Sequence, residues 1–359
     1  MCGLFGLARS AGTVHPESAS GVFVDLGRLA EQRGRDAAGF ALVQPPLPPA
    51  VVKATWPFRS LWGSHQAPML HQASVVLGHT RHASQGAPGR LANAHPLETG
   101  GLVGTVNGDI DADDLRRRLA PGLPPPKGET DSEVLLLALD RVRGDLGEVC
   151  EVLATARGVT ALAWVDRTRP GLVFLARGAL CPMAVARDAH GHLYWASSPR
   201  WFRHLDEQAA GRLGFQVERV AEGTVLAIAT DRAVPTVVAE RSFTPTARAG
   251  DAQRFASIWA GLDPREAAAF QAAARHHIAP PSNVTRVPDQ ACRAWSGSKE
   301  ERMTNQQTSA AATPERRVRV TASVDYTLSV PASCVEDPDS EYQARAAEPE
   351  LRAKAGEGA

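Results

Sequence analysis

The first 240 or so residues predict one domain containing both helices and sheets, followed by a helical segment over 241–280 and a disordered tail over 281–359. Three observations predict it. Short, nearly continuous apolar runs alternate with helix-period segments as far as residue 240, and Gly- and Pro-bearing loops join them. After residue 243 a single alanine-rich stretch, 251–277, keeps helical character. Beyond it, 281–359 carries 10 basic and 12 acidic residues but only three aromatics, Trp295, Tyr326 and Tyr342. Such a segment buries too little apolar surface to offset chain entropy.

In chain order, the first strand is expected over 3–9, where Leu4, Phe5 and Leu7 follow one another with little polar interruption. Val22, Leu26 and Leu29 then stand at near-helical spacing. Further strands are expected over 39–44, 74–81 and 101–107, with a Pro-rich surface loop at 44–49. A helix over 111–119 follows, a second Pro-rich loop at 121–126, and a helix over 132–142 that Thr130 or Asp131 would cap. The remaining strands are expected over 159–166, 172–177, 192–197 and 224–229. Most of these runs do not alternate, which implies sheets covered on both faces. In the tail, 317–330 alternates with period two, but a lone short strand has no partner.

Composition narrows the function. Basic and acidic side chains number 39 each, so the formal charge is zero and charge-driven binding to nucleic acid or membranes is excluded. Arginine (35) far outnumbers lysine (4), a bias we assign to codon usage and not to phosphate recruitment. Five scattered cysteines, with no CxxC and no zinc-type spacing, fit a reducing cytoplasm. No apolar run reaches the roughly 18 residues of a membrane span, and the N-terminus lacks the pattern of a signal peptide. A cytoplasmic location is expected.

Chemistry begins at Met1-Cys2-Gly3. Removal of the initiator Met would make Cys2 the N-terminal residue, a thiol beside a free α-amine that can take its proton. Alone, Cys2 reads better as an incidental, partly buried cysteine. Four further stretches follow in order: Arg33-Gly34-Arg35-Asp36-Ala37-Ala38-Gly39, Gly78-His79-Thr80-Arg81-His82-Ala83-Ser84-Gln85-Gly86, Asn93-Ala94-His95-Pro96, and Val106-Asn107-Gly108. Thr130-Asp131-Ser132-Glu133-Val134 closes the series.

With Cys2-Gly3, these motifs resemble the glutaminase domain of the class II glutamine amidotransferases, which are N-terminal nucleophile hydrolases. The wording is closest to the glutaminase half of glucosamine-6-phosphate synthase, and the resemblance covers about residues 2–240. It implies an α+β fold, the four-layer αββα sandwich of two mainly antiparallel sheets between helices. The implied activity is hydrolysis of the side-chain amide of L-glutamine through a Cys2 thioester, with neither metal nor organic cofactor. Carried over position by position, Cys2 is the nucleophile, and Asn107 and Gly108 form the oxyanion hole. Arg81 grips the substrate carboxylate with help from the Ser84 hydroxyl, Asp131 receives the α-ammonium, and Arg33 positions the nucleophile.

The residues themselves leave alternatives open. Arg81 could be a surface arginine, Asp131 a helix cap, and Asn107-Gly108 a tight hairpin turn. Asp36 and Gly39 read better as loop stabilisers, and His79 with His82 makes a poor metal pair because a strand points them apart. The sequence departs from the family at His82, where a Trp is usual, and at Val106, where a His is common. The sugar-isomerase repeats, the phosphoribosyl-pyrophosphate loop and the ATP loop of the various synthetases are absent. An ammonia-accepting synthetase or transferase is therefore expected on a separate polypeptide. Two other readings are an amidohydrolase of the same fold acting on another γ-glutamyl compound, and a catalytically silent amino-acid-binding module.

Overall fold

A computed structural model of the chain describes residues 2–13, 16–62, 67–119 and 122–260. The chain opens with β1 (Gly3–Ala8), α1 (Pro16–Ala30), β2 (Ala37–Val43) and β3 (Ala50–Ala54). Two short helices, α2 (Phe58–Leu61) and α3 (Ala67–Gln72), lead to β4 (Val75–Arg81). A 3-10 turn (Leu91–Asn93) precedes β5 (Leu97–Glu98) and β6 (Leu102–Ile110), and three helices follow: α4 (Ala112–Leu119), α5 (Asp131–Val142) and α6 (Leu146–Thr155). Next come β7 (Gly158–Asp166), β8 (Leu172–Arg177), β9 (Ala184–Arg187), β10 (Leu193–Ala196) and α7 (Pro199–Gln208). The last elements are β11 (Gln216–Arg219), β12 (Thr224–Ala229), β13 (Thr236–Ser242) and α8 (Asp251–Ala260).

The strands form two sheets, a seven-stranded one ordered β11-β9-β10-β1-β4-β2-β3 and a six-stranded one ordered β13-β12-β8-β7-β6-β5. Every pairing is antiparallel. Three apolar layers separate four layers of structure. Leu4, Ala8, Val75, Leu77 and Trp195 from the first sheet meet Val103, Ala161, Leu175 and Ile228 from the second. The opposite face of the first sheet packs Phe5, Phe40 and Tyr194 under Phe23, Phe58 and Phe202 of α1, α2 and α7. Leu162, Phe174 and Ala227 of the second sheet lie under α5 and α6. This is the expected αββα sandwich, and it explains the unbroken apolar runs: β1, β2, β4 and β7 are buried at every position.

All eight expected strands are present, and β3, β5, β9, β11 and β13 are additional. Four of the additional strands, β3, β5, β11 and β13, are sheet edges, with β11 exposed throughout and β13 at most positions, and β9 is only four residues long. Helix α6 was also unexpected. Asp145 caps it, accepting from the N–H groups of Gly147 and Glu148, a contribution of about 1 kcal/mol.

One correction bears on the site. β6 does not end at Asn107 but runs to Ile110, so Asn107-Gly108 lies inside a strand, paired with Ala161 and Thr160 of β7, and is not a hairpin turn. Local turn chemistry yields here to sheet pairing. A second concerns the end of the domain: β13 continues past 240, and Arg248 and Arg254 pair with Asp109 of β6 at 3.0 and 2.8 Å. Phe255 is buried with Val159, Ala179 and Leu180. The remainder of the helix expected over 251–277, and the tail 281–359 with its alternating stretch 317–330, lie outside the described residues. Among the described residues no helix is long and apolar enough to cross a membrane.

Candidate active site

Cys2 immediately precedes β1 and is 7% exposed. Its sulfur lies 3.4 Å from the His82 N–H, which donates to it, and the thiol is 3.5 Å from the His82 carbonyl. Arg33 Nε donates to the Cys2 carbonyl at 2.7 Å. Burial pushes the thiol above its ordinary value, although the His82 N–H and the charges of Arg81 and Arg33 pull the other way. A thiol so placed needs a base to ionise it.

The segment that holds Cys2 follows from the Arg33–Gly39 motif. After α1 the chain crosses directly over the end of β4, where a Cβ on Gly34 would overlap the backbone of Arg81 and His82. Only glycine permits that approach. Asp36 then binds the crossing in both directions: its N–H donates to the Arg81 carbonyl at 2.9 Å, and its carboxylate accepts from the Ala83 N–H at 2.7 Å. Asp36 is thus a loop anchor.

Arg81 ends β4 and is 2% exposed. Its guanidinium gathers the loop that follows, donating to the carbonyls of Gln85 (2.6 Å), Gly86 (3.0 Å) and Ala87 (3.2 Å). Nε–H and the second Nη1–H remain outside these three bonds. Arg81 lies within electrostatic reach of both Cys2 and Asp131. Ser84 is exposed in the same loop, and Gln85 donates from Nε2 to Asp109 at 3.1 Å.

Asn107 faces this group from the other sheet. Strand alternation with Val103 turns its side chain into the layer between the sheets, where it is fully buried. Nδ2 is 3.3 Å from Ser197 Oγ, while Oδ1 is buried with no partner among the described residues. The Asn107 carbonyl accepts from the buried Cys181 thiol at 3.2 Å. A Cβ on the next residue, Gly108, would overlap the Val159 carbonyl of β7.

Asp131 opens α5 but does not cap it. Its Oδ2 accepts from the Ile110 N–H at 2.7 Å, at the end of β6, and Thr130, at the cap position, makes no capping bond with its side chain. Burial, reinforced by the charge of Asp109, pushes the Asp131 carboxyl up to about 6. It borders a cavity of about 370 Å³ lined also by Gln85, Ile110, Arg116, Glu129 and Arg248.

Between the two walls, His79 and His95 stack at 4.1 Å, and His79 Nε2 is 2.9 Å from the Val106 carbonyl. Burial holds His79 down at about 3 and His95 well below its ordinary value, so both rings are neutral at pH 7. His82 is exposed and points away from this pair, toward Asp36 at 3.8 Å. Sequence reasoning did not single out Ser197, Cys181 or Asp109 as site residues. Asp109 reaches the site on β6, Cys181 from the loop after β8, and Ser197 from the end of β10, in the stretch Tyr194-Trp195-Ala196-Ser197-Ser198 that reads as a late strand of the domain with no role for the serine.

No protein-family model matches the chain. It is 31% identical over 184 residues to the glutamine–fructose-6-phosphate aminotransferase (isomerizing) of Aeropyrum pernix, a match covering 49% of this chain and 29% of that protein. The enzyme of the same name from Thermus thermophilus is 35% identical over 167 residues, 45% of this chain and 26% of that protein. The match thus spans less than a third of each relative. Two solved structures share the fold. The allosteric regulatory enzyme of purine biosynthesis has a TM-score of 0.53 at 19% identity, over 68% of this chain and 49% of that one. The glutamine phosphoribosylpyrophosphate amidotransferase of B. subtilis has 0.51 at 16%, over 82% and 70%.

Proposed function

The chain carries a glutaminase-type domain of the class II glutamine amidotransferases, with the N-terminal nucleophile fold, and on that premise we propose that it hydrolyses the side-chain amide of L-glutamine to glutamate and ammonia. The observation that carries the reading is a buried Cys2 at the head of β1, with its sulfur against the His82 N–H and its carbonyl held by Arg33, opposite a buried Asn107 on the other sheet.

Once Met1 is removed, the Cys2 α-amine takes the thiol proton and sulfur attacks the side-chain carbonyl of glutamine. The oxyanion that forms is met by the Asn107 amide and the Gly108 N–H. The proton passes from the α-ammonium to the departing nitrogen, the C–N bond breaks, and ammonia leaves a glutamyl thioester. Water, deprotonated by the same amine, then attacks the thioester; glutamate departs and the thiol is restored. Arg81, through its two N–H groups outside the loop bonds, and Ser84 bind the α-carboxylate, and Asp131 binds the α-ammonium. We extend the proposal to the ammonia, which serves a separate acceptor enzyme.

The test is glutamate release from glutamine by protein whose N-terminus has been verified as Cys2, beside a Cys2→Ala variant. Release that disappears in the variant is the expected result. Correctly processed protein that releases glutamate only from other γ-glutamyl compounds would overturn the choice of substrate, and binding of glutamine without turnover would overturn the enzyme.

A further inference from the structure

Ser197 follows β10 and is fully buried. It continues the pairing of β10 with β1 by donating its N–H to the Leu4 carbonyl at 2.8 Å, while its Oγ accepts from the Leu4 N–H at 2.9 Å. The same oxygen lies 3.3 Å from Asn107 Nδ2. One hydroxyl therefore joins the strand that carries the nucleophile to the opposing side chain on the other sheet.

The hydrogen bonds at this junction do not balance as the atoms are placed. Ser197 Oγ accepts twice and its own hydrogen meets no acceptor, while Asn107 Oδ1 is buried without a partner among the described residues. Two unsatisfied groups side by side in a buried site each cost on the order of 1–3 kcal/mol. Exchanging the oxygen and nitrogen of the Asn107 amide, which have the same shape, gives the Ser197 hydrogen and Oδ1 each a partner and leaves as the one unmet group a donor, Nδ2, in place of an acceptor. The Ser197 hydroxyl then donates to Oδ1, and Nδ2 takes the partnerless position with both hydrogens unspent.

We propose that Ser197 is a positioning residue that holds the Asn107 amide with Oδ1 toward the hydroxyl and Nδ2 free to meet the oxyanion. The inference rests on the glutaminase reading for its role in rate, but the amide orientation stands apart from it. A donor fixed before the charge develops is worth more than one that must turn to reach it, because no reorganisation accompanies the reaction.

Three variants and one diffraction measurement test this. Ser197→Ala is expected to lower kcat for glutamine roughly tenfold or more, a part of the loss that follows removal of an oxyanion donor outright, with KM within about twofold. Alkylation of Cys2 by iodoacetamide, which needs no oxyanion hole, is expected to keep its wild-type rate, and Ser197→Thr is expected to recover most of kcat. An unchanged kcat in Ser197→Ala overturns the proposal. So does an alkylation rate that falls in step with kcat, which would place the effect on the nucleophile strand. A neutron structure of Cys2→Ala, loaded with deuterium, reads the orientation directly: deuterium on Ser197 Oγ directed at Asn107 supports the proposal, and deuterium on the Asn107 atom facing Ser197 overturns it. That measurement decides the matter even if wild type proves inactive on glutamine or Ser197→Ala fails to fold.

Discussion

The two walls of the candidate site differ in how their polar groups are satisfied. On the first sheet three side chains hold backbone groups: Arg33 holds the Cys2 carbonyl, Arg81 holds three loop carbonyls, and Asp36 holds the Ala83 N–H. On the second sheet two groups are left over. Asn107 has one amide atom buried without a partner among the described residues, and Asp131 has a carboxyl that burial drives toward the neutral form. These bonds keep the first wall in shape around Cys2, while the second wall is left to receive something charged. Variants of the shape-keeping groups, such as Asp36, should therefore cost stability before activity, and variants on the second wall activity before stability.

Asn107→Ala breaks this comparison if it fails. Losing one oxyanion donor is expected to lower kcat by about 10²–10³ with little change in KM. Stability should change little, because the bond lost to Ser197 is offset by removal of an amide atom buried without a partner among the described residues. Steady-state kinetics beside urea denaturation of the same preparation checks both halves. A large loss of stability with modest loss of rate would mean that the amide is structural.

Asp131→Asn sharpens it through pH. A carboxyl raised to about 6 from an ordinary value near 4 destabilises the fold as pH rises through that window, since the buried form must ionise. Removing it is expected to stabilise the protein by up to about 2–3 kcal/mol above pH 6 and to leave stability unchanged near pH 4. Substrate binding should move the opposite way. The α-ammonium needs the ionised carboxylate, so the wild-type KM is expected to rise as pH falls through 6, while the variant shows a KM raised roughly 10- to 100-fold with no such inflection. Denaturation and glutamate release measured from pH 4 to 8 check the two together.

Legibility in the sequence followed the same division. The eight strands buried on both faces announced themselves as apolar runs, whereas β11, with sequence Gln216-Val217-Glu218-Arg219, has nothing to distinguish it from a polar loop. Helix α7 did carry a readable start: Ser198 caps it and Pro199 follows at its first position. The short motifs marked Cys2, Arg33, Arg81, Asn107 and Asp131, but not their geometry. Asn107-Gly108 reads locally as a turn and becomes a strand because it pairs with Ala161 and Thr160 of β7, where the Val159 carbonyl leaves no room for a side chain at 108. Ser197 was invisible because its partners, Leu4 and Asn107, are 193 and 90 residues away.

The smallest expected effect lies at Asp36, one of the shape-keeping groups of the first wall. Its carboxylate is 38% exposed, and its approach to His82 at 3.8 Å, a ring itself 59% exposed, contributes little. The bond that matters is the 2.7 Å contact with the Ala83 N–H, which ties the start of the 82–87 loop to the crossing below it. Solvent weakens that bond, so Asp36→Ala is expected to cost about 1 kcal/mol. The loop carries Ser84 and the carbonyls held by Arg81, so a few-fold rise in KM should accompany the loss, with kcat within about twofold. Thermal denaturation and glutamine titration read the two effects. If kcat fell with KM unchanged, the loop would be acting on the reacting atoms and the separation between a shaping wall and a receiving wall would fail, because the His82 N–H that meets the Cys2 sulfur belongs to that same loop.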